Sequence, residues 1–216
     1  MNMKPLCWLF LCAAAAVAQP IGFGIKGGVP MNDFLSAARN QNFQFDTTTN
    51  RYIIGPSVEL RLPFGLGIEL DALYRHFGYS SFSTPGGVNA AITDARTSAG
   101  AWEFPLLGKY KFKGVPLLRP FVEAGVSWDK LTGLTQAVST TVSNIVQTSS
   151  TSNPPELNKD TTRGFVLGGG VDIKALVIHV VPEIRYTRWG AKHFIDPSGL
   201  FNSNQNQGEF LIGITF

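Results

Sequence analysis

Residues 118–128 read Leu-Arg-Pro-Phe-Val-Glu-Ala-Gly-Val-Ser-Trp. Val122, Ala124, Val126 and Trp128 share one face of an extended chain, while Arg119, Glu123 and Ser127 share the other. Successive side chains of a strand point to opposite sides, so this stretch is a strand with one greasy face and one charged face.

The same two-residue period recurs seven more times. Residues 21–29 set Ile21, Phe23, Ile25 and Val29 against Lys26 and glycines, and residues 52–62 set Ile54, Val58, Leu60 and Leu62 against Ser57, Glu59 and Arg61. Residues 66–75 place Leu66, Ile68, Leu70, Ala72 and Tyr74 opposite Glu69, Asp71 and Arg75. Residues 99–112 place Trp102, Phe104, Leu106, Tyr110 and Phe112 opposite Glu103, Lys109 and Lys111. In residues 162–174, Phe165, Leu167, Val171 and Ile173 oppose Gly164, Gly168, Gly170, Asp172 and Lys174. Residues 177–187 oppose Ile178, Val180, Ile184 and Tyr186 to His179, Glu183 and Arg185. The last segment, 209–216, opposes Phe210, Ile212, Ile214 and Phe216 to Glu209, Gly213 and Thr215.

A soluble sandwich alternates in the same way, so the connections decide. Long polar stretches lie at 30–51, 78–98, 129–161 and 190–207, and tight connections at 63–65, 113–117 and near 174–176. Strict long–short alternation over an even number of strands gathers the long loops on one rim and the turns on the other. Transmembrane barrels sort their connections this way and sandwiches do not. The expectation is an all-β, eight-stranded antiparallel up-and-down barrel that crosses a membrane. The core of the third long connection, 136–153, has no periodic apolar face and reads as mobile, or at best as a hairpin extending above the membrane.

Composition points the same way. Only 15% of residues are charged and 23 are glycine, against roughly 25% charged in soluble domains. After residue 18 no apolar run is long enough for a membrane helix, and an apolar chain without one crosses lipid as a closed barrel. Residues 1–18 carry Lys4, an apolar run over 6–16 and Ala16-Val17-Ala18, the layout of a secretory signal peptide cleaved before Gln19. Leu11 ahead of Cys12 argues against lipidation. Cys7 and Cys12 both fall in this leader, so the barrel domain, 19–216, is expected to hold no disulfide. Without Lys4, 17 cations face 15 acids, spread singly along the chain, so nucleic acid is not an expected partner.

The charged faces predict a lumen ion network of Glu59, Arg61, Glu69, Asp71, Arg75, Glu103, Lys109, Lys111, Arg119, Glu123, Asp172, Glu183 and Arg185, with Lys26, Lys174 and Glu209 also inward. Buried unpaired charge is costly, so cations and acids pair, and a barrel of eight strands is just wide enough for side chains to fill it. The lumen is expected to be closed, with Glu69 and Asp71 pairing with Arg61 or Arg75. Trp102, Trp128, Trp189, Tyr52 and Tyr74 fall at the long-loop ends of strands, and Phe64, Phe112 and Phe216 at the turn ends, as two aromatic girdles at the membrane interfaces. Pro56, Pro105, Pro120 and Pro182 interrupt strands and are expected at bulges or strand ends. His76, His179 and His193 are too scattered for a metal site. His76 lies near Ser80, Ser81 and Asp94, and a lone rim histidine is ordinary polar chemistry, so neither catalysis nor a cofactor is expected.

The leader, the strand at 119–128, the glycine-rich face of 164–172, Pro-Glu-Ile-Arg-Tyr-Thr-Arg-Trp at 182–189 and Gly-Glu-Phe-Leu-Ile-Gly-Ile-Thr-Phe at 208–216 together resemble the small eight-stranded outer-membrane β-barrels, of the kind formed by the membrane domain of outer-membrane protein A. The resemblance implies a monomer among outer-membrane lipid and lipopolysaccharide. It also implies that the barrel assembly machinery recognises a last strand ending in phenylalanine, here Phe216. Relatives with a peptidoglycan-binding domain carry it after that strand, and the sequence stops at Phe216, so that role is not implied. Lipid A deacylase barrels carry histidine and serine two residues apart on a lipid-facing strand, whereas Gly78, Val181 and Ile195 follow the three histidines here. The resulting expectation is a structural or interaction protein with four surface loops. The alternatives are a small channel or carrier for an apolar solute and, third, a lipid A-modifying enzyme.

Overall fold

The computed structural model describes residues 21–40, 42–49, 52–84, 91–114, 117–143, 145–175 and 178–216. The signal peptide expected over 1–18 lies outside these residues. In chain order the strands are β1 (Ile21–Pro30), β2 (Leu35–Ala37), β3 (Phe43–Thr49), β4 (Ile53–Arg61), β5 (Leu66–Asp71), β6 (Leu73–Ser83), β7 (Ile92–Lys111), β8 (Leu118–Val142), β9 (Ile145–Thr151), β10 (Thr161–Ala175), β11 (Ile178–Trp189), β12 (Phe201–Ser203) and β13 (Asn206–Thr215). Among the described residues no helix is long and apolar enough to cross a membrane.

Eight staves close a cylinder in the order β1, β4, β5 continued by β6, β7, β8, β10, β11 and β13, each antiparallel to its neighbours. The seam pairs β1 with β13, from Gly24 opposite Thr215 to Pro30 opposite Glu209, so among the described residues no stave of the wall is left with an open edge toward lipid. Alternation fixes which side chains look outward. Phe23, Ile25, Leu70, Leu106, Phe165, Leu167, Ile184, Ile212 and Ile214 are exposed on the outer wall, while Lys26, Glu69, Lys109, Glu123, Glu183 and Arg185 are buried inside. A soluble barrel would have this order reversed. Here hydrocarbon solvates the outer face and the ions fill the lumen.

The short turns lie at one end. Between β4 and β5 a 3-10 turn spans Pro63–Gly65, with Phe64 at φ 64° and Gly65 at φ 82°. A left-handed conformation is natural for glycine and strained for a bulky side chain. At the opposite end the long connections carry structure of their own. β3 pairs with upper β6, and β9 with upper β8, so β3, β6, β7, β8 and β9 form a five-stranded sheet that continues the wall beyond the membrane. The third long connection is therefore an extended hairpin, because Gln136 to Val142 pair residue by residue with Thr151 to Ile145.

The prolines do not mark bulges. The one irregularity in the β7–β8 register falls between Ser98 and Gly100. Pro56 and Pro105 lie on the two strands flanking Ala72, where the third stave splits into β5 and β6, and the register is the same on either side of the split. Pro182 faces a similar gap in the β10–β11 ladder, between Gly170–Glu183 and Ile173–Val180. Each of these removes a donor without shifting the pairing. Only Pro120, near the start of β8, sits at a strand end.

Candidate functional site

The lumen holds two ion clusters and a lid. At mid-height Lys26, from β1, reaches Glu69 at 2.5 Å, Glu183 at 2.8 Å and Asp71 at 3.4 Å. Lys109, from β7, reaches Glu69 at 2.7 Å, Glu123 at 3.2 Å and Glu183 at 3.5 Å. Arg185, from β11, meets Glu69 and Asp71 at 2.7 Å and Glu123 and Glu183 at 2.8 Å. Each cation touches at least three carboxylates, which is the geometry that offsets desolvation of buried charge. Glycine on the inner face of β10 makes the room: a Cβ at Gly168 would lie 2.7 Å from the Glu123 Oε1.

Oxygens of Glu69, Glu123 and Glu183 lie within 4.8 Å of one another, a possible metal-ligand set. The ammonium and guanidinium groups of Lys26, Lys109 and Arg185 already stand among them, so the arrangement reads as an ion cluster.

Above it, Ile53, Leu73 and Leu211 form a buried apolar layer. Beyond that layer Arg75 pairs closely with Asp129, lies 3.4 Å from Glu209 and 3.6 Å from Glu103, and donates to Gln207 at 2.9 Å. His193 approaches Asp129 at 3.4 Å, and Ser127 donates to Glu103 at 3.0 Å.

The outer end is sealed by residues from connections that look polar in the sequence. Phe34, Leu35, Phe45, Phe194 and Phe201 fold inward onto Phe77, Tyr79 and Leu131. Phe34 lies 4.6 Å from Phe77, Tyr79 lies 4.4 Å from Phe201, and the Arg75 guanidinium sits 4.6 Å over the Phe34 ring. β2 and β12 pair to hold these loops together. Tyr79 lies above the membrane, and burial, with Glu156 beside it, raises its phenol above the ordinary tyrosine range. It stays neutral and donates to Glu156 at 3.3 Å.

At the turn end Lys111 bridges Glu59 at 2.6 Å and Asp172 at 2.8 Å, and His179 meets Asp172 at 2.5 Å. The structure corrects several expectations drawn from strand parity. Arg119 and Lys174 are exposed at this mouth, and Arg61 lines it without an ion pair among the described residues, because strand ends leave the enclosed part of the lumen. Glu69 and Asp71 pair with Lys26, Lys109 and Arg185 rather than with Arg61 or Arg75. Trp189 is not in a girdle: its odd number puts it on the face of Glu183 and Arg185, and it is only 3% exposed. Trp128 and Tyr52 are exposed on the outer wall, and Tyr74 and Trp102 pack there as tilted rings with centroids 5.2 Å apart. Phe64, Phe112 and Phe216 are exposed at the turn end.

The alternating pattern did not single out Asp129, Gln207 and His193 of the upper cluster, nor any of the aromatic lid. His76 does not pair with Ser80 or Ser81. Its Nε2 lies 3.3 Å from the Ser98 Oγ on the exposed face, and among the described residues no carboxylate bonds to it.

A family model described as an outer membrane protein beta-barrel domain matches residues 17–190. Among solved structures, the outer membrane protein OprG of Pseudomonas aeruginosa aligns with a TM-score of 0.53 at 14% identity, over 91% of this chain and 94% of its own. Neisserial surface protein A aligns with a TM-score of 0.48 at 14% identity, over 90% and 94%. The attachment invasion locus protein of Yersinia pestis aligns with a TM-score of 0.38 at 7% identity, over 91% and 98%. No curated protein matches the sequence.

Proposed function

The chain belongs to the outer membrane protein beta-barrel domain family, and from that premise we propose that it is a non-conducting, non-enzymatic barrel whose role is structural or interactive, carried by what it presents outside the cell. The family indicates the bacterial outer membrane. One observation carries the rest: the lumen is filled from mid-height outward by an ion cluster, an apolar layer, a second ion cluster and an aromatic lid. Rigid walls raised above the membrane as a five-stranded sheet are a scaffold on which binding surfaces sit. The tip of that sheet exposes Val142, Ile145 and Val146, with Ile145 65% accessible.

On this reading residues 1–18 are removed on export, the assembly machinery engages the strand ending at Phe216, and the monomer lies in lipopolysaccharide and phospholipid. N-terminal sequencing of outer-membrane material is expected to begin at Gln19. The reading as a solute channel is tested by planar-bilayer recording: no conductance steps are expected, and steps scaling with protein would overturn the proposal. The reading as a lipid A-modifying enzyme is tested by mass analysis of lipid A with and without the protein, for which identical spectra are expected. A nucleophile needs a base held in turn by a third group, and His76 lacks that third group among the described residues.

A further inference from the structure

The turn end, which faces the periplasm in outer-membrane barrels, is a mouth with a charge balance unlike the rest of the lumen. A cavity of about 510 Å³ opens there, within the size range of small-molecule sites. Its wall carries the cations Arg61, Lys111, Lys113, Arg119 and Lys174, and only two acids, Glu59 and Asp172. Both acids are already bound to Lys111, and Asp172 also holds His179. Arg61, Lys113, Arg119 and Lys174 remain without an ion pair among the described residues.

Arg61 is the telling member. Its Nε and Nη2 are buried and have no hydrogen-bond partner in the protein, and Nη2 packs against Gly22, where a Cβ would come within 2.9 Å. Arg61 as a whole is half-buried, and two desolvated guanidinium nitrogens without an acceptor are unfavourable. Its planar fork matches two oxygens of a phosphate, and neighbouring cations add attraction that a concave low-dielectric wall focuses. Leu62, Phe64, Leu66 and Phe112 make the rim apolar, so an ester group attached to the anion has a surface to rest on. The mid-height ion cluster closes the floor, so an anion entering here is held rather than passed through.

We propose that this mouth is a binding site for a phosphate-type oxyanion, either the headgroup of an anionic phospholipid of the periplasmic leaflet or free phosphate. Arg61 and Arg119 grip the oxygens, and Lys113 and Lys174 supply the surrounding positive field. The site stands whether or not the lumen conducts.

The full chain, folded in an uncharged-headgroup detergent, is titrated with inorganic phosphate and followed by phosphorus NMR. In parallel, nanodiscs of phosphatidylcholine with and without phosphatidylglycerol are assayed for lipid retained on the protein by native mass spectrometry. Saturable binding of at least one probe is expected, weakened about tenfold or more in Arg61→Gln with Arg119→Gln, since each charge-assisted contact is worth a comparable factor. Lys159→Gln, on the extracellular side, is expected to change nothing. Phosphate binding alone assigns the free anion, and phosphatidylglycerol retention alone assigns the lipid. Heat-modifiable gel migration reports folding. Should Arg61→Gln fail to fold, Arg119→Gln with Lys174→Gln, both at exposed positions, carries the test with a severalfold loss expected. Absence of saturable binding by either probe, or undiminished binding in the folded variants, overturns the proposal.

Discussion

Arg185 contacts Glu69, Asp71, Glu123 and Glu183 from a side chain that is almost wholly buried. Replacing it with leucine leaves four carboxylates facing two lysines in a dry enclosure. Breaking such a buried arrangement by removing one partner costs about 3–5 kcal/mol, so urea unfolding of Arg185→Leu in detergent is expected to show a loss of that order. Glu59→Gln, at the wetter mouth, is expected to lose less. The face each residue occupies could be read from its parity alone, and that same parity places Trp189 beside Arg185, against its grouping with Trp102 and Trp128. Brominated lipids provide the check: they are expected to quench Trp128 and Trp102 in single-tryptophan variants and to leave Trp189 bright. What parity could not supply was pairing. Which carboxylate meets which cation depends on stave order and stagger around a cylinder, and Lys26 and Glu183 come together from 157 positions apart.

Strand existence was legible because eight segments repeat one period, and the turn at Pro63–Gly65 was legible from its composition. The elements hidden from the sequence, β2, β3, β12 and the lid, lie in mostly polar connections where Phe34, Phe45, Phe194 and Phe201 belong to apolar pairs too short to show a period. One apolar pair sets no period, and its burial comes from loops elsewhere in the chain. Two predictions belong to this scale. Phe64 holds φ 64°, a strain of about 1 kcal/mol or more, so Phe64→Gly is expected to raise the unfolding midpoint in detergent micelles, where no fixed lipid interface anchors the ring. The β8–β9 hairpin rises clear of the lumen. Replacing 137–150 with Asn-Gly, which joins the paired Gln136 and Thr151 through a two-residue turn, is expected to leave heat-modifiable migration and the urea midpoint unchanged.

For the whole molecule, obstruction is layered, and no single layer is responsible for it. Phe194→Ala combined with Phe201→Ala opens the lid but leaves the Arg75 and Arg185 clusters in place. The double variant is therefore expected to remain silent in planar-bilayer recordings, and a conducting variant would locate the only barrier in the lid. The balance of inward cations and acids in the sequence led to the expectation of ions paired inside the barrel. It could not reveal that the cations would be unevenly distributed, with paired ions at mid-height and a surplus at the periplasmic rim, because that gradient follows from where each strand happens to emerge.

The zipper between β1 and β13 joins residues 24–30 to residues 209–215. Until those two partners meet, the wall is a curled ribbon with a raw margin on either side, and neither margin can be immersed in hydrocarbon while its amides lack acceptors. Insertion stave by stave is therefore forbidden, and entry into the bilayer is coupled to circularisation. Contacts so distant along the chain form slowly. Until the two margins find each other, a polypeptide built this way is an unfinished hoop whose closure satisfies both at once.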